Sequence, residues 1–319
     1  MLNNCNQHAS AEAPSKRVDV TSSGARVAVS LTGQAGEPLL LIHSINAAGS
    51  AAEVEPLRLH YSTHRRVYCV ELPGFGASDR SDRAYFPRLM TDALLDVAQE
   101  IFKITRQPID ALAVSLSCEF LARAASERAF LFRSLALVSP TGFSGSRRLR
   151  EAAGKTRGKA WLYTLLRGPG WGLALYRQLT RPKVIRYFLE RTWGSKNIDE
   201  VLWHADLMVS RCPGAHFAPL YFLSAQLFSA DIHNVYDSLR VPVWVSHGQR
   251  GDFVDYRQLP DFARRCGWQV SVYSTGAMVY FEQPSAYSLD YDRFLAAIYK
   301  GTAPHEGSCT ATPCHALAE

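Results

Sequence analysis

Short apolar, β-branched runs recur along the chain with amphipathic stretches between them. Val27 to Thr32, Leu39 to His43, Arg66 to Glu71, Ile109 to Val114, Ser134 to Val138, Val241 to His247 and Gln269 to Tyr273 fit strands buried on one or both faces. Apolar residues spaced three and four apart predict helices over Glu53 to Tyr61, Pro87 to Thr105, Ser117 to Glu127, Tyr256 to Cys266 and Ala286 to Tyr299. Strands alternating with helices imply an α/β fold, a mostly parallel sheet covered by helices. The first two strands, flanking Ser22-Ser23-Gly24, read as an antiparallel hairpin at the sheet edge.

The alternation stops after Val138 and returns at Val241. The intervening sequence is helical, aromatic and basic, and Gly168-Pro169-Gly170, Arg181-Pro182 and Pro213-Gly214 punctuate it. It reads as a helical cap inserted over the open ends of the strands. The predicted organisation is a flexible N-terminal tail over 1–17, a core formed by 18–143 and 237–301, a cap over 144–236, and a flexible C-terminal tail over 302–319.

Charge sharpens this division. The net charge is +6, yet residues 147–196 carry thirteen Lys or Arg against only Glu151 and Glu190, so this segment is +11 and the remainder −5. A basic element on a mildly acidic body suggests an anionic partner, either a lipid surface or an acidic acyl carrier. Nucleic acid is not expected, because the same segment holds Trp161, Tyr163, Trp171 and Tyr176 and matches no nucleic-acid-binding motif. Seven scattered cysteines without Cys-x-x-Cys spacing, and no apolar leader or spanning run, point to reduced thiols and the cytoplasm. His305, Cys309, Cys314 and His315 lie in a Gly-, Pro- and Ser-containing tail, so no metal site is expected there. No nucleotide cofactor is expected either, since no Gly-x-Gly-x-x-Gly follows a strand and no phosphate loop occurs.

The chemistry centres on Ser115. The run Ile109 to Val114 enters Ala113-Val114-Ser115-Leu116-Ser117 as a strand, and Ser117 onward continues as a helix. A nucleophile elbow needs this strand-turn-helix, with small residues two before and two after the nucleophile; Ala113 and Ser117 meet that demand. His43-Ser44-Ile45-Asn46 follows the strand at Leu39, and Glu71-Leu72-Pro73-Gly74-Phe75-Gly76-Ala77-Ser78 follows the strand at Arg66.

These three segments, in this order, resemble the elbow, the His-Gly-x-x loop and the Asp-x-x-Gly-x-Gly-x-Ser turn of the α/β-hydrolase superfamily. The resemblance covers most of the chain apart from the tails. It implies Ser115 as nucleophile and the backbone N–H groups of Ile45 and Leu116 as an oxyanion hole. It implies His43 as a structural residue beneath the loop. Val245 to Asp252 resembles the loop bearing the acid, with one extra residue before Asp252; Asp255 is the alternative.

The catalytic histidine is missing. The family places it in a Gly-His-x-x-His-x-Glu-x-Pro-like segment, and here Gly276-Ala277-Met278-Val279-Tyr280-Phe281-Glu282-Gln283-Pro284 stands in its place. Glu282 and Pro284 set the register, which puts Ala277 at the catalytic position. Losing that histidine costs a serine triad on the order of a million-fold in turnover. Possible substitutes are Tyr280 and the cap residue His216, with His204 a further cap histidine. The readings are therefore an esterase-like hydrolase acting on an apolar acyl or ester-like molecule through a degenerate triad, a non-hydrolytic enzyme of the same fold such as a lyase, dehydratase or cyclase, or a ligand-binding pseudoenzyme.

Overall fold

Strands β1 (Lys16–Arg17), β2 (Val20–Ser22), β3 (Ala25–Thr32), β4 (Pro38–Ile42), β5 (Arg66–Glu71), β6 (Ile109–Val114), β7 (Phe132–Val138), β8 (Val243–Gly248) and β9 (Gln269–Tyr273) join into one sheet. The computed structural model describes residues 15–168, 171–251 and 255–301, and the side chain of Trp171 is not among those described. The candidate acid Asp252, residues 1–14 of the N-terminal tail and the C-terminal tail over 302–319 lie outside the described residues.

The strand order is β1-β3-β5-β4-β6-β7-β8-β9, with β2 paired to β3. From β5 through β9 every pairing is parallel. The β1, β2 and β3 end is antiparallel, and β3 also runs antiparallel to β5, so the sheet is mixed. The hairpin between β2 and β3 turns through Ser23 and Gly24, both at positive φ (47° and 72°), the two-residue turn whose twist matches paired strands.

Helix α1 (Glu55–Tyr61) follows a 3₁₀ turn at Ala51–Val54; α2 (Pro87–Thr105) and α3 (Ser117–Glu127) precede β7. Both α1 and α2 carry proline in the first turn, where its missing N–H has no intrahelical acceptor. In α2, Met90, Ala93, Leu94, Val97, Ala98 and Ile101 repeat at three- and four-residue spacing and are all buried. Because β4 and β6 are buried on both faces, their alternating residues feed two cores. Leu40, Ile42, Ala111 and Ala113 pack with α2 and α3 on one side. Leu39, Leu41, Leu112 and Val114 pack on the other with Tyr287, Tyr291 and Leu295 of the C-terminal helix α12 (Pro284–Tyr299).

Among the described residues six helices separate β7 from β8: α4 (Ala160–Leu166), α5 (Trp171–Leu179), α6 (Pro182–Trp193), α7 (Glu200–Ser210), α8 (Phe217–Leu223) and α9 (Ile232–Asp237). The last of these already sits on the sheet layer. Ile232 and Tyr236 join the core with α3, and Arg123 of α3 forks onto Asp231 at 2.6 and 3.1 Å. After β8 come α10 (Leu259–Cys266), β9, the short α11 (Val279–Glu282) and α12. No helix among the described residues is long and apolar enough to cross a membrane. Cys69, Cys118 and Cys212 are free thiols.

Candidate active site

Strand β6 ends at Val114 and α3 begins at Ser117, leaving Ser115 and Leu116 to reverse the chain, and Ser115 is held at φ 55°. A non-glycine residue in this region costs on the order of 1–3 kcal/mol, which the surrounding structure must offset. Two bonds show how. The Ser115 N–H donates to the Val138 carbonyl of the neighbouring β7 at 2.8 Å, and the Ser117 hydroxyl donates to the His43 carbonyl at 2.6 Å. The second bond needs a small side chain at position 117, and it ties the elbow to the loop after β4.

That loop is shaped from within by His43 and Glu53. His43 is buried; its Nδ1 lies 2.6 Å from the Ser44 carbonyl, and Nε2 accepts from the Leu72 N–H at 3.1 Å. Burial lowers its pKa, so the ring is the neutral tautomer that donates at Nδ1 and accepts at Nε2, a strut beneath the loop. Glu53 is also buried; its carboxylate accepts from the Ser44 N–H and from Asn46 Nδ2, each at 2.6 Å. These bonds leave the next N–H, that of Ile45, without an acceptor among the described residues, and the Leu116 N–H likewise has none. The turn after β5 packs behind. Glu71 accepts from the Ala51 and Ala77 N–H groups, and a Cβ at Gly76 (φ 50°) would lie 1.9 Å from the Glu71 carboxylate, so glycine is required there.

Ser115, Ile45, Leu116 and Ala277 border one cavity of about 830 Å³, in the size range of small-molecule sites. Its outer wall is mostly apolar and comes from the segment between β7 and β8, including Ile185, Leu189, Phe222 and Phe228. Ala277 is fixed at both backbone ends: its N–H donates to the Thr192 carbonyl of α6 at 2.8 Å, and its carbonyl accepts from the Ser139 hydroxyl at 2.7 Å. Glu282 secures the same loop by accepting from the Gly276 N–H at 2.6 Å and pairing with Arg250.

The proposed replacements for the histidine lie elsewhere. Tyr280 is fully buried, its hydroxyl donates to the Glu53 carbonyl at 2.8 Å, and it does not border the cavity. Burial also pushes its pKa upward, away from any role as a base. His216 lies tilted against Phe217, centroids 4.0 Å apart, beside a separate surface cavity with Tyr176 and Arg177. His204 is exposed, with Nδ1 2.7 Å from the Glu200 carbonyl one turn back. Asp255, the alternative acid, borders the cavity, but its carboxylate already accepts from the Gly145 N–H at 3.0 Å and pairs with Arg257.

A histidine and two acids of the cavity carried no signal in the sequence. His247, at the end of β8, borders it, stacked on Tyr256 with centroids 3.9 Å apart; its Nδ1 is 3.0 Å from the Gly248 carbonyl. Burial lowers its pKa, leaving a neutral imidazole, but no hydrogen bond joins it to Ser115. Its position in a strand run gave no signal beyond an apolar pattern. The other two are Glu53 and Asp206, each on a helical segment where the sequence alone reads as an ordinary charged face.

No family model matches the chain, and no curated protein matches it. Solved structures do. A serine hydrolase involved in carbazole degradation superposes with a TM-score of 0.66 at 14% identity, covering 89% of this chain and 99% of that one. A loop variant of a haloalkane dehalogenase from Bradyrhizobium elkanii gives 0.67 at 16% identity, covering 91% and 99%. A bacterial membrane phospholipase A gives 0.66 at 17% identity, covering 90% and 87%. The chain has the α/β-hydrolase fold.

Proposed function

We propose that the protein is a hydrolase-type enzyme acting on an apolar acyl or ester-like small molecule, with Ser115 as nucleophile and the Ile45 and Leu116 N–H groups as oxyanion hole. The observation that carries this reading is Ser115 held at φ 55° at the floor of an apolar 830 Å³ cavity whose rim presents both free N–H groups. Such donors stabilise an oxyanion only when fixed beforehand, and the bonds of Glu53 and His43 fix this loop. With Ala277 at the histidine position, proton removal from Ser115 is the weak step, and the triad is degenerate. That no imidazole among the described residues is hydrogen-bonded to Ser115 also favours a second reading, a non-hydrolytic lyase, dehydratase or cyclase that uses the same oxyanion hole to hold an enolate. A fluorophosphonate probe separates the two. Covalent labelling at Ser115, absent in Ser115→Ala, supports acyl chemistry; a probe that leaves Ser115 untouched in folded protein rejects it.

We further propose that the helices between β7 and β8 meet an anionic lipid surface. In the same basic segment Trp161, Leu165 and Leu173 are exposed, the combination of apolar and cationic groups that an interfacial helix needs.

A further inference from the structure

The cavity holds a carboxyl group that the chemistry at Ser115 does not use. Asp206 projects from α7 and borders the cavity; it is 4% exposed, and its Oδ1 has no hydrogen-bond partner among the described residues. No cation pairs with it there. On its own helix Glu200 and His204 are exposed, and on the adjacent α6 Arg186 turns outward to Glu200 at 2.6 Å. Glu53 acts on it from the 3₁₀ turn against which α7 packs, and no hydrogen bond joins the two carboxyls.

A carboxyl buried without a donor beside a second carboxyl ionises only at a large penalty. Glu53 accepts from two N–H donors, whereas Asp206 accepts from none among the described residues. Burial first, and Glu53 second, push the Asp206 carboxyl well above the usual carboxylate range. An apolar site that keeps a carboxylic acid neutral turns it from an acceptor into a donor.

We propose that Asp206 is a neutral hydrogen-bond donor that recognises an acceptor oxygen, carbonyl or ether, on an otherwise apolar ligand in the Ser115 cavity. The inference rests on that cavity being the ligand site of the proposed function, and it narrows the ligand to molecules that carry an acceptor oxygen. The donor also satisfies the principle that a buried polar atom finds a partner, here supplied by the ligand.

The test compares a nine-carbon methyl ketone with the hydrocarbon in which a methylidene group replaces its oxygen. Affinities are read by displacement of an apolar fluorescent dye from wild-type, Ser115→Ala, Asp206→Asn and Asp206→Leu proteins. The ketone is expected to bind about five- to ten-fold more tightly in the wild type and in Ser115→Ala, the scale of one neutral hydrogen bond. Asp206→Asn, which keeps an N–H donor, retains the preference; Asp206→Leu loses it while still binding the hydrocarbon. Infrared spectra at pH 8, above the Glu119 titration, should show a protonated carboxyl band that Asp206→Asn removes. Equal affinity for ketone and hydrocarbon in the wild type, a preference that survives Asp206→Leu, or the absence of that band overturns the proposal. None of these readouts uses turnover, so an inert Ser115 leaves them standing. Brisk ester hydrolysis without a ketone preference sinks this inference alone.

Discussion

The Ser139 hydroxyl donates to the Ala277 carbonyl at 2.7 Å, joining the end of β7 to the loop that carries a methyl group at the position implied for the histidine. Since the loop is held by backbone and by Glu282, a larger side chain at 277 has a fixed anchor and an open cavity before it. Ala277→His is therefore expected to raise hydrolysis of short p-nitrophenyl esters by about 10²- to 10⁴-fold, the usual contribution of a positioned general base. The gain should vanish with Ser115→Ala added and fall with Asp252→Asn, while Asp255→Asn should have little effect because that carboxylate is engaged by the Gly145 N–H and Arg257. A folded Ala277→His protein without the gain rejects Ala277 as the vacated position.

A second series addresses residual activity in the unmodified protein. Tyr280→Phe and His216→Ala should leave the turnover of p-nitrophenyl esters unchanged, since neither side chain borders the Ser115 cavity. Tyr280→Phe should instead lose about 1 kcal/mol of stability, with the Glu53 carbonyl deprived of its donor. His247→Ala is the variant expected to abolish any residual turnover, its neutral imidazole being the one at the cavity wall among the described residues. If Tyr280→Phe rather than His247→Ala removes the activity, the hydroxyl must leave Glu53 during the reaction.

Glu119 gives a pH prediction away from the chemistry. It is fully buried on α3, where it accepts from the Thr141 hydroxyl at 2.6 Å and the Ser229 N–H at 2.9 Å, yet burial still raises its pKa from 4.5 to about 7. A folded-state pKa above the unfolded one means the fold prefers the protonated acid. Its contribution to stability is complete below about pH 4.5 and is lost as the pH climbs to about 7, by about 3 kcal/mol. Glu119→Gln, which is uncharged at every pH, should exceed the wild type in urea resistance at pH 8 and show a much smaller advantage near pH 5. An advantage equal at both pH values contradicts the raised pKa.

Anionic vesicles test the basic helices. Co-sedimentation with phosphatidylserine-containing vesicles should be strong at low salt, weaken as ions screen the charges, and drop in Trp161→Ser and in Leu165→Ser. Retention by an acidic acyl carrier in place of vesicles would reassign the surface to a protein partner. Several cations of the segment are already engaged, Arg150 with Asp237 and Arg167 with Asp82, so the effective charge is smaller than +11.

The alternation of apolar runs was enough to place β5, β6, β9, α2 and α3 at their observed ends, because strands buried on both faces and long amphipathic helices carry their period in local sequence. The elbow was legible for a similar reason. Its tight turn demands small residues at 113 and 117 whatever lies beyond. What local sequence could not supply was which side chains converge from distant segments. Tyr280 has the reach of a base in sequence, yet its helical turn directs the hydroxyl to the Glu53 carbonyl; His247 sits in an apolar strand run, yet the strand's end delivers it to the cavity. Asp206 reads as one polar residue of a cap helix until α7 packs over the Ala51–Val54 turn. Only that packing removes both its water and any counterion, and desolvation is a property of the assembled surroundings, which no period or spacing encodes.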